Sequence, residues 1–188
     1  MERLFISYKP AMKTGNLAVA CLMLTAHATW AGNLAPLGLE LGVATLETVQ
    51  KEIGVKTRLV SMGTNRYTRG PVLSGSGKGI DIKDLTEVVF VFDTDKKLNA
   101  VVMYFPNGEG TREGKNRAFQ KNMKALAGKY TLVEKRIPAI GDAYARFKHG
   151  NAVIELDAPR YDFDMTLRYI TNDLREEFVK QTTRTASR

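Results

Sequence analysis

The chain has almost none of the residues that cross-links and soft-metal sites require. Its 188 residues include one cysteine and two histidines, so a disulfide within the chain is excluded. Tetrahedral zinc needs several Cys or His ligands, and the chain offers too few. Hydrophobic residues make up 44% and aromatics 9%, a composition typical of an ordinary globular domain. We therefore expect no metal site and no cofactor.

The N-terminus carries a pattern typical of export. The run Leu17–Ala26 has no charge, follows Lys13 and is followed by small-x-small triplets, which are the features of a secretory signal peptide. Ten residues are too few to cross a bilayer as a helix. We predict a cleaved signal over residues 1–31, with Met12 as an alternative start, and a periplasmic protein.

A lipid anchor is the alternative for this segment. The stretch Ala18–Cys21 resembles a bacterial lipobox, in which the cysteine becomes lipidated. Alanine stands where such boxes usually have leucine, and the apolar run continues beyond Cys21. Anchoring through Cys21 is therefore the less favoured prediction.

Removal of the signal leaves a basic chain without thiols. Residues 1–31 hold three bases and one acid, so 25 bases and 19 acids remain, a net charge of +6, with His149 as the single histidine. Such a chain must be stabilised by core packing alone. We expect no transmembrane segment in the mature chain, and no nucleic-acid partner because exported proteins rarely meet one.

The mature chain reads as one α+β domain over residues 32–182 with a frayed tail at 183–188. Thr45 is a predicted N-cap of a helix that ends at Gly54. A strand over Lys56–Met62, a long Gly-rich loop over 63–86 and a hairpin (88–92 with 98–105) follow. Both hairpin strands are apolar on both faces, which predicts central strands.

A second series of elements follows Glu113. Its helix presents Phe119, Met123 and Leu126 and ends at Gly128. The predicted strands cover 130–137, 143–147, 152–156 and 163–169, with a turn at 148–151, and Thr171 caps a last helix to about residue 181. The order predicts an antiparallel sheet built from two helix–strand–hairpin units (42–106 and 114–170) and a C-terminal helix.

The stretch Gly42–Gly54 resembles the opening helix motif of small periplasmic α/β-repeat proteins. These include the BamE-type outer-membrane assembly proteins and the β-lactamase-inhibitor-protein repeats. The resemblance implies an envelope binding or assembly module with helices against an antiparallel sheet, and it transfers no catalytic residue.

Motifs for catalysis are weak, so no catalytic residue is assigned and an enzyme is not the favoured class. The run Ser74–Gly79 lacks the first glycine and the Ser or Thr of a phosphate loop. The acids at Asp93 and Asp95 fit a turn better than a calcium loop, and His149 fits a solvated turn. The alternative is a secreted hydrolase or a hydrolase inhibitor that uses the carboxylates of the 155–164 region (Glu155, Asp157, Asp162 and Asp164).

A basic surface is the strongest remaining signal. No acid occurs between residues 114 and 133. We predict an exported, non-enzymatic binding or envelope-associated module whose partner is an anionic envelope component or an acidic protein surface. A purely solubilising role for these charges is the competing interpretation. The candidate contact residues are Arg66, Tyr67, Arg69, Lys78, Lys115, Arg117, Lys121 and Lys124.

Overall fold

A computed structural model describes residues 32–108, 111–138 and 141–186, the side chains only as far as residue 181. The predicted signal peptide therefore lies outside the described residues. A 3₁₀ helix covers Pro36–Gly38, and the α-helices are α1 (Leu46–Gly54), α2 (Arg112–Ala127) and α3 (Asn172–Ala186). The strands are β1 (Leu59–Thr64), β2 (Arg69–Ser76), β3 (Glu87–Asp93), β4 (Leu98–Pro106), β5 (Thr131–Arg136), β6 (Ala143–His149), β7 (Ala152–Ala158) and β8 (Asp164–Thr171).

The eight strands form one sheet in the order β1-β2-β3-β4-β8-β7-β6-β5, and every neighbouring pair is antiparallel. The α+β class is confirmed. α1 is followed by β1 to β4, and α2 by β5 to β8. The two runs of strands meet at the centre of the sheet, where β4 pairs with β8. β1 and β5 are the edge strands.

α1 and α2 pack on the same face of the sheet, which we call the α1/α2 face. Thr45 caps α1 as predicted, because its hydroxyl oxygen accepts a hydrogen bond from Thr48 N at 3.3 Å. Val49 and Ile53 are fully buried, and so is Phe119 of α2. They share one apolar core with the sheet residues of this face, such as Phe90.

α3 packs on the opposite face, which we call the α3 face. Its predicted cap is confirmed, since the Thr171 hydroxyl accepts from Leu174 N at 3.4 Å. Leu174 and Phe178 line a cleft together with Val91 and Ala100 of the central strands. The helix continues to Ala186, five residues beyond the predicted end. Within the described part of the chain, no helix combines the length and the hydropathy that a membrane crossing needs.

The central hairpin was predicted correctly. β3 and β4 pair from Glu87↔Tyr104 to Phe92↔Leu98, around the turn at 94–97. Both are internal strands, and residues of both sheet faces are buried on them, Phe90 on one face and Val91 on the other. Strands covered on both sides read as continuous apolar runs, which explains why this hairpin was visible in the sequence.

The predicted long loop at 63–86 is wrong, because this region contains β2. The glycines that suggested a loop instead allow close backbone contact. A Cβ added to Gly70 would lie 2.2 Å from the carbonyl oxygens of Phe92 and Asp93, and one added to Gly77 would lie 2.0 Å from that of Leu85. Glycine in a strand often marks a bulge or such an approach, and the β2–β3 register shifts next to Gly70.

Several strand boundaries also differ from the prediction, among them the start of β1 and the end of β6. β1 begins at Leu59, three residues later than expected, because Lys56 and Thr57 still bond to the end of α1 through the Ile53 carbonyl. The predicted turn at 148–151 is shorter, since β6 continues through His149 and only residues 150–151 connect it to β7. The His149 ring packs edge-on against Tyr130 at 5.4 Å.

Candidate functional site

The predicted contact residues of the 63–86 region lie at the two ends of β2. Arg66 and Tyr67 form the β1–β2 turn, where Arg66 donates a hydrogen bond to the Tyr67 hydroxyl, and Arg69 opens β2. Lys78 follows the other end of the strand. Eight extended residues separate the ends by roughly 23 Å, so these residues do not form one cluster.

The predicted contact residues of α2 have different environments. Lys121 and Lys124 are exposed, and neither has an ion-pair partner among the described residues. Arg117 is also exposed. Lys115 instead attaches a neighbouring loop, because its Nζ donates to the carbonyl oxygens of Arg160 and Asp162 at 2.8 and 2.7 Å.

The sheet separates α2 from the β1–β2 turn. Tyr67 packs its ring against Phe178 of α3 with a centroid distance of 5.2 Å, which places it on the α3 face. α2 packs on the α1/α2 face through Phe119 and Leu126. The predicted set therefore divides into separate groups. Tyr67 lines a cleft on the α3 face, and Lys121 lines a groove on the α1/α2 face.

A groove lies beside α2 on the α1/α2 face, and we call it the α2 groove. Its volume is about 720 Å³, within the range of small-molecule sites. Its floor is the β4–β8 junction, where alternate residues of the two strands point to this face. The floor residues are Met103, Phe105, Met165, Leu167 and Tyr169.

Two separate parts of the chain form the walls of the α2 groove, both on the α1/α2 face. α2 contributes Ala118, Lys121 and Asn122. The facing wall consists of the segment 82–84 and of residues 36–37. Lys83 and Lys121 thus stand on opposite walls, and both are exposed. The result is an apolar trough with a cation on each side.

The electrostatics of the groove floor agree with its apolar lining. Tyr169 belongs to this floor, and burial raises the pKa of its phenol well above the ordinary value. A raised phenol pKa is the response to an environment where an anion is poorly solvated by water. A charged group is therefore better accommodated at the lysines than on the floor.

The carboxylates of the hydrolase alternative divide between two places. Glu155 and Asp157 lie on β7 in a cleft of about 610 Å³ under α3. Glu155 Oε1 accepts hydrogen bonds from the Tyr144 hydroxyl at 2.9 Å and from Arg175 Nε at 3.1 Å, and Asp157 pairs with Arg168 at 3.4 Å.

The other two carboxylates lie away from this cleft. The Asp162 side chain accepts a hydrogen bond from Asp164 N at 3.4 Å, in the segment that leads into β8.

Burial, with the negative charge of Glu155, raises the pKa of Tyr144 to about 12. Because Glu155 and Asp157 are each bound to an arginine, the cleft under α3 has the features of a structural ion-pair network.

The structure also locates the other motifs. Asp93 accepts a hydrogen bond from Lys97 N at 2.8 Å, which is the local bond of a turn residue. Ser74 and Ser76 belong to β2, so this run is a strand end and no phosphate loop. In the described ranges, no three or more His, Cys, Asp or Glu side chains are grouped as a metal site would require.

Comparison with protein families, with curated proteins and with solved structures gave no significant match. The resemblance of residues 42–54 to periplasmic repeat proteins therefore stays a prediction, and the site must be interpreted from its own chemistry.

Sequence reasoning missed the α2 groove although it singled out Lys121. The floor residues lie in stretches that were predicted as strands, Met103 and Phe105 in the strand over 98–105 and Met165, Leu167 and Tyr169 in the strand over 163–169. Their role depends on the pairing of Met103 with Leu167 between strands that are distant in the sequence. No local pattern indicates that pairing.

Proposed function

We propose that this protein is an exported, non-enzymatic envelope module that binds an anionic membrane component through α2. The observation that carries the proposal is that Lys121 and Lys124 are exposed on α2 with no acidic partner among the described residues. Unpaired cations near an anionic surface contribute about 1 kcal/mol each to binding. No Asp or Glu occurs from residue 114 to residue 133, so no acid close in the sequence offsets the positive charge of these lysines.

Phospholipid headgroups are the anionic component that we favour over an acidic protein. A lysine is a point charge on a flexible stem, which suits mobile headgroups better than one fixed protein contact. The apolar α2 groove directly beside these lysines also fits a partner that combines anionic and apolar parts.

The hydrolase alternative has less support. Glu155 and Asp157 are the two of its carboxylates that share a cleft, and arginines neutralise both. An inhibitor function of the same cleft would need these ion pairs to open when the partner binds, which makes this candidate secondary.

The two halves of the sheet have the same arrangement of elements. We propose that α1 with β1–β4 and α2 with β5–β8 are two related units that join at the β4–β8 pair. The identical order and direction of the elements support this relation.

Vesicle sedimentation tests the proposed binding. The protein is mixed with vesicles of phosphatidylcholine alone, or of phosphatidylcholine with phosphatidylglycerol, at low and high salt. We expect binding to the anionic vesicles only, and salt should weaken it. The double variant Lys121→Glu with Lys124→Glu should lose about 2 kcal/mol or more of the binding free energy.

The matched control reverses Lys96 and Lys97, which are exposed in the β3–β4 turn. It changes the net charge equally and should retain most of the binding. Equal losses in the two double variants would show that only net charge matters, and this result would contradict a specific role of α2.

Export has its own test: N-terminal sequencing of the protein from periplasmic extract should yield a chain that starts near residue 29 or 32.

A further inference from the structure

We propose that the α2 groove binds a free long-chain fatty acid, with the acyl chain on the β4–β8 floor and the carboxylate between Lys83 and Lys121. The inference deepens the proposed function and rests on it, because Lys121 belongs to both. It adds a site with a defined occupant, whereas the proposed function requires only an exposed basic surface.

The floor of the groove has the chemistry that an acyl chain needs. Met103, Met165 and Leu167 are at most 9% exposed, so the bottom of the trough is made of packed apolar side chains. From Met165 to Tyr169 the floor follows β8 over about 13 Å. An apolar floor that continues along one strand over this distance can follow an extended acyl chain.

The charge at the mouth of the groove selects the head of the ligand. Lys83 and Lys121 contribute two positive charges, and Asp84 on the same wall as Lys83 contributes one negative charge. No described acid forms an ion pair with either lysine. The net charge of +1 complements a singly charged carboxylate better than a phosphate monoester, which carries more negative charge.

A peptide is a poorer occupant of this groove. Peptides commonly bind sheets by adding a strand to a free edge. The floor strands β4 and β8 are central and are paired on both sides, so they have no unpaired backbone to offer. Recognition at this floor must therefore come from side-chain contact, which suits an acyl chain.

The test measures binding of a fatty-acid series to the protein as it is recovered from the cell, by isothermal titration below the critical micelle concentration. Between decanoate and dodecanoate the affinity should rise about 15-fold, since each buried methylene contributes about fourfold. The corresponding primary alcohol should bind at least tenfold more weakly than the carboxylate. Equal affinity for acid and alcohol would overturn the assigned role of the lysines.

Two matched variants locate the site. Ala118→Phe fills the groove from the α2 wall and should weaken dodecanoate binding at least tenfold. Ala125→Phe makes the same change at an exposed position of α2 outside the groove and should leave the affinity within twofold. Thermal melting by circular dichroism confirms that both variants fold. Wild-type affinity in a folded Ala118→Phe protein would overturn the site.

The outcomes separate this inference from the proposed function. Ala118→Phe should still sediment with anionic vesicles, because Lys121 and Lys124 remain. Vesicle binding without dodecanoate binding would refute the inference alone. If the wild-type protein binds dodecanoate, Ala118→Phe abolishes this binding and the wild-type protein does not bind vesicles, the proposed function alone would be refuted. Tighter binding of lysophosphatidic acid than of the fatty acid with the same chain would overturn the choice of a carboxylate head.

Discussion

Replacing Asn107 with alanine should destabilise the protein by about 2 kcal/mol, although this residue lies in a loop. Asn107 follows β4 directly and is only 1% exposed. Its Nδ2 donates to the carbonyl oxygens of Pro159 and Asp162 at 2.7 and 3.2 Å. The side chain thereby attaches the 159–162 segment, which leads into β8, to the end of β4.

The magnitude follows from these two hydrogen bonds. Each neutral hydrogen bond contributes about 1 kcal/mol net, so their loss amounts to about 2 kcal/mol. The backbone bond from Asn107 N to Phe163 O, at 2.7 Å, survives the substitution and limits the damage. Oδ1 of Asn107 is buried without a partner among the described residues, so its removal recovers part of the loss. At this chain length, 2 kcal/mol corresponds to a fall in Tm of about 4–8 °C.

Urea denaturation followed by circular dichroism measures the effect, with Asn122→Ala as the matched control. Among the described residues, the Asn122 side chain bonds to the Ala118 carbonyl one turn earlier in α2 and to no other group. Its removal should therefore change the free energy of unfolding by less than about 0.5 kcal/mol. The midpoint should fall for Asn107→Ala while the m-value stays constant. Equal stabilities of the two variants would refute the role assigned to Asn107.

Two further predictions concern the backbone and the pH dependence. Gly70→Ala should destabilise the protein by more than 2 kcal/mol in the same urea assay, because the added Cβ would overlap two backbone carbonyl oxygens. Gly54→Ala, at the open end of α1, is the control and should be neutral or stabilising. Equal effects of the two substitutions would contradict the close contact at Gly70. The raised pKa of Tyr144 adds stability that is present below pH 10 and is lost as the pH rises through about 12. Tyr144→Phe should therefore flatten the decline in unfolding free energy above pH 10. The control Tyr161→Phe, at a residue that is 85% exposed, should leave this decline unchanged. Identical pH profiles of the two variants would contradict the role of the buried Tyr144 phenol.

Local signals were sufficient for much of the fold. Thr45 and Thr171 were recognised as helix caps because a cap depends on one side chain and on the next three residues. The β3–β4 hairpin was recognised because internal strands are apolar on both faces. These features need no knowledge of distant parts of the chain.

β2 was missed because its signal is not local. Gly70, Gly75 and Gly77 suggest a flexible loop when the sequence is read alone. Their function becomes apparent only beside the neighbouring strand and loop, where Gly70 and Gly77 lie too close to carbonyl oxygens for any side chain. Composition alone does not distinguish a flexible glycine from a tightly packed one.

The candidate site was predicted in part for the same reason. Lys121 stood out through the absence of acids near it in the sequence. Lys83 and the floor residue Leu167 line the same groove as Lys121 because strands that are distant in the sequence, such as β4 and β8, pair in the sheet. Lys115 illustrates the opposite error: its charge suggested a contact surface, but its ammonium group binds two carbonyl oxygens of the protein itself.

Chemical-shift mapping with dodecanoate and with phosphatidylglycerol-containing bicelles tests most directly whether α2 and its groove are the binding surface. The account predicts that the largest amide shifts occur in α2 around Ala118 and Lys121, in the segment 82–84 and in the β4–β8 floor. Residues that surround Glu155 on the α3 face should not move. Shifts confined to the α3 face, or spread evenly over the surface, would contradict the account.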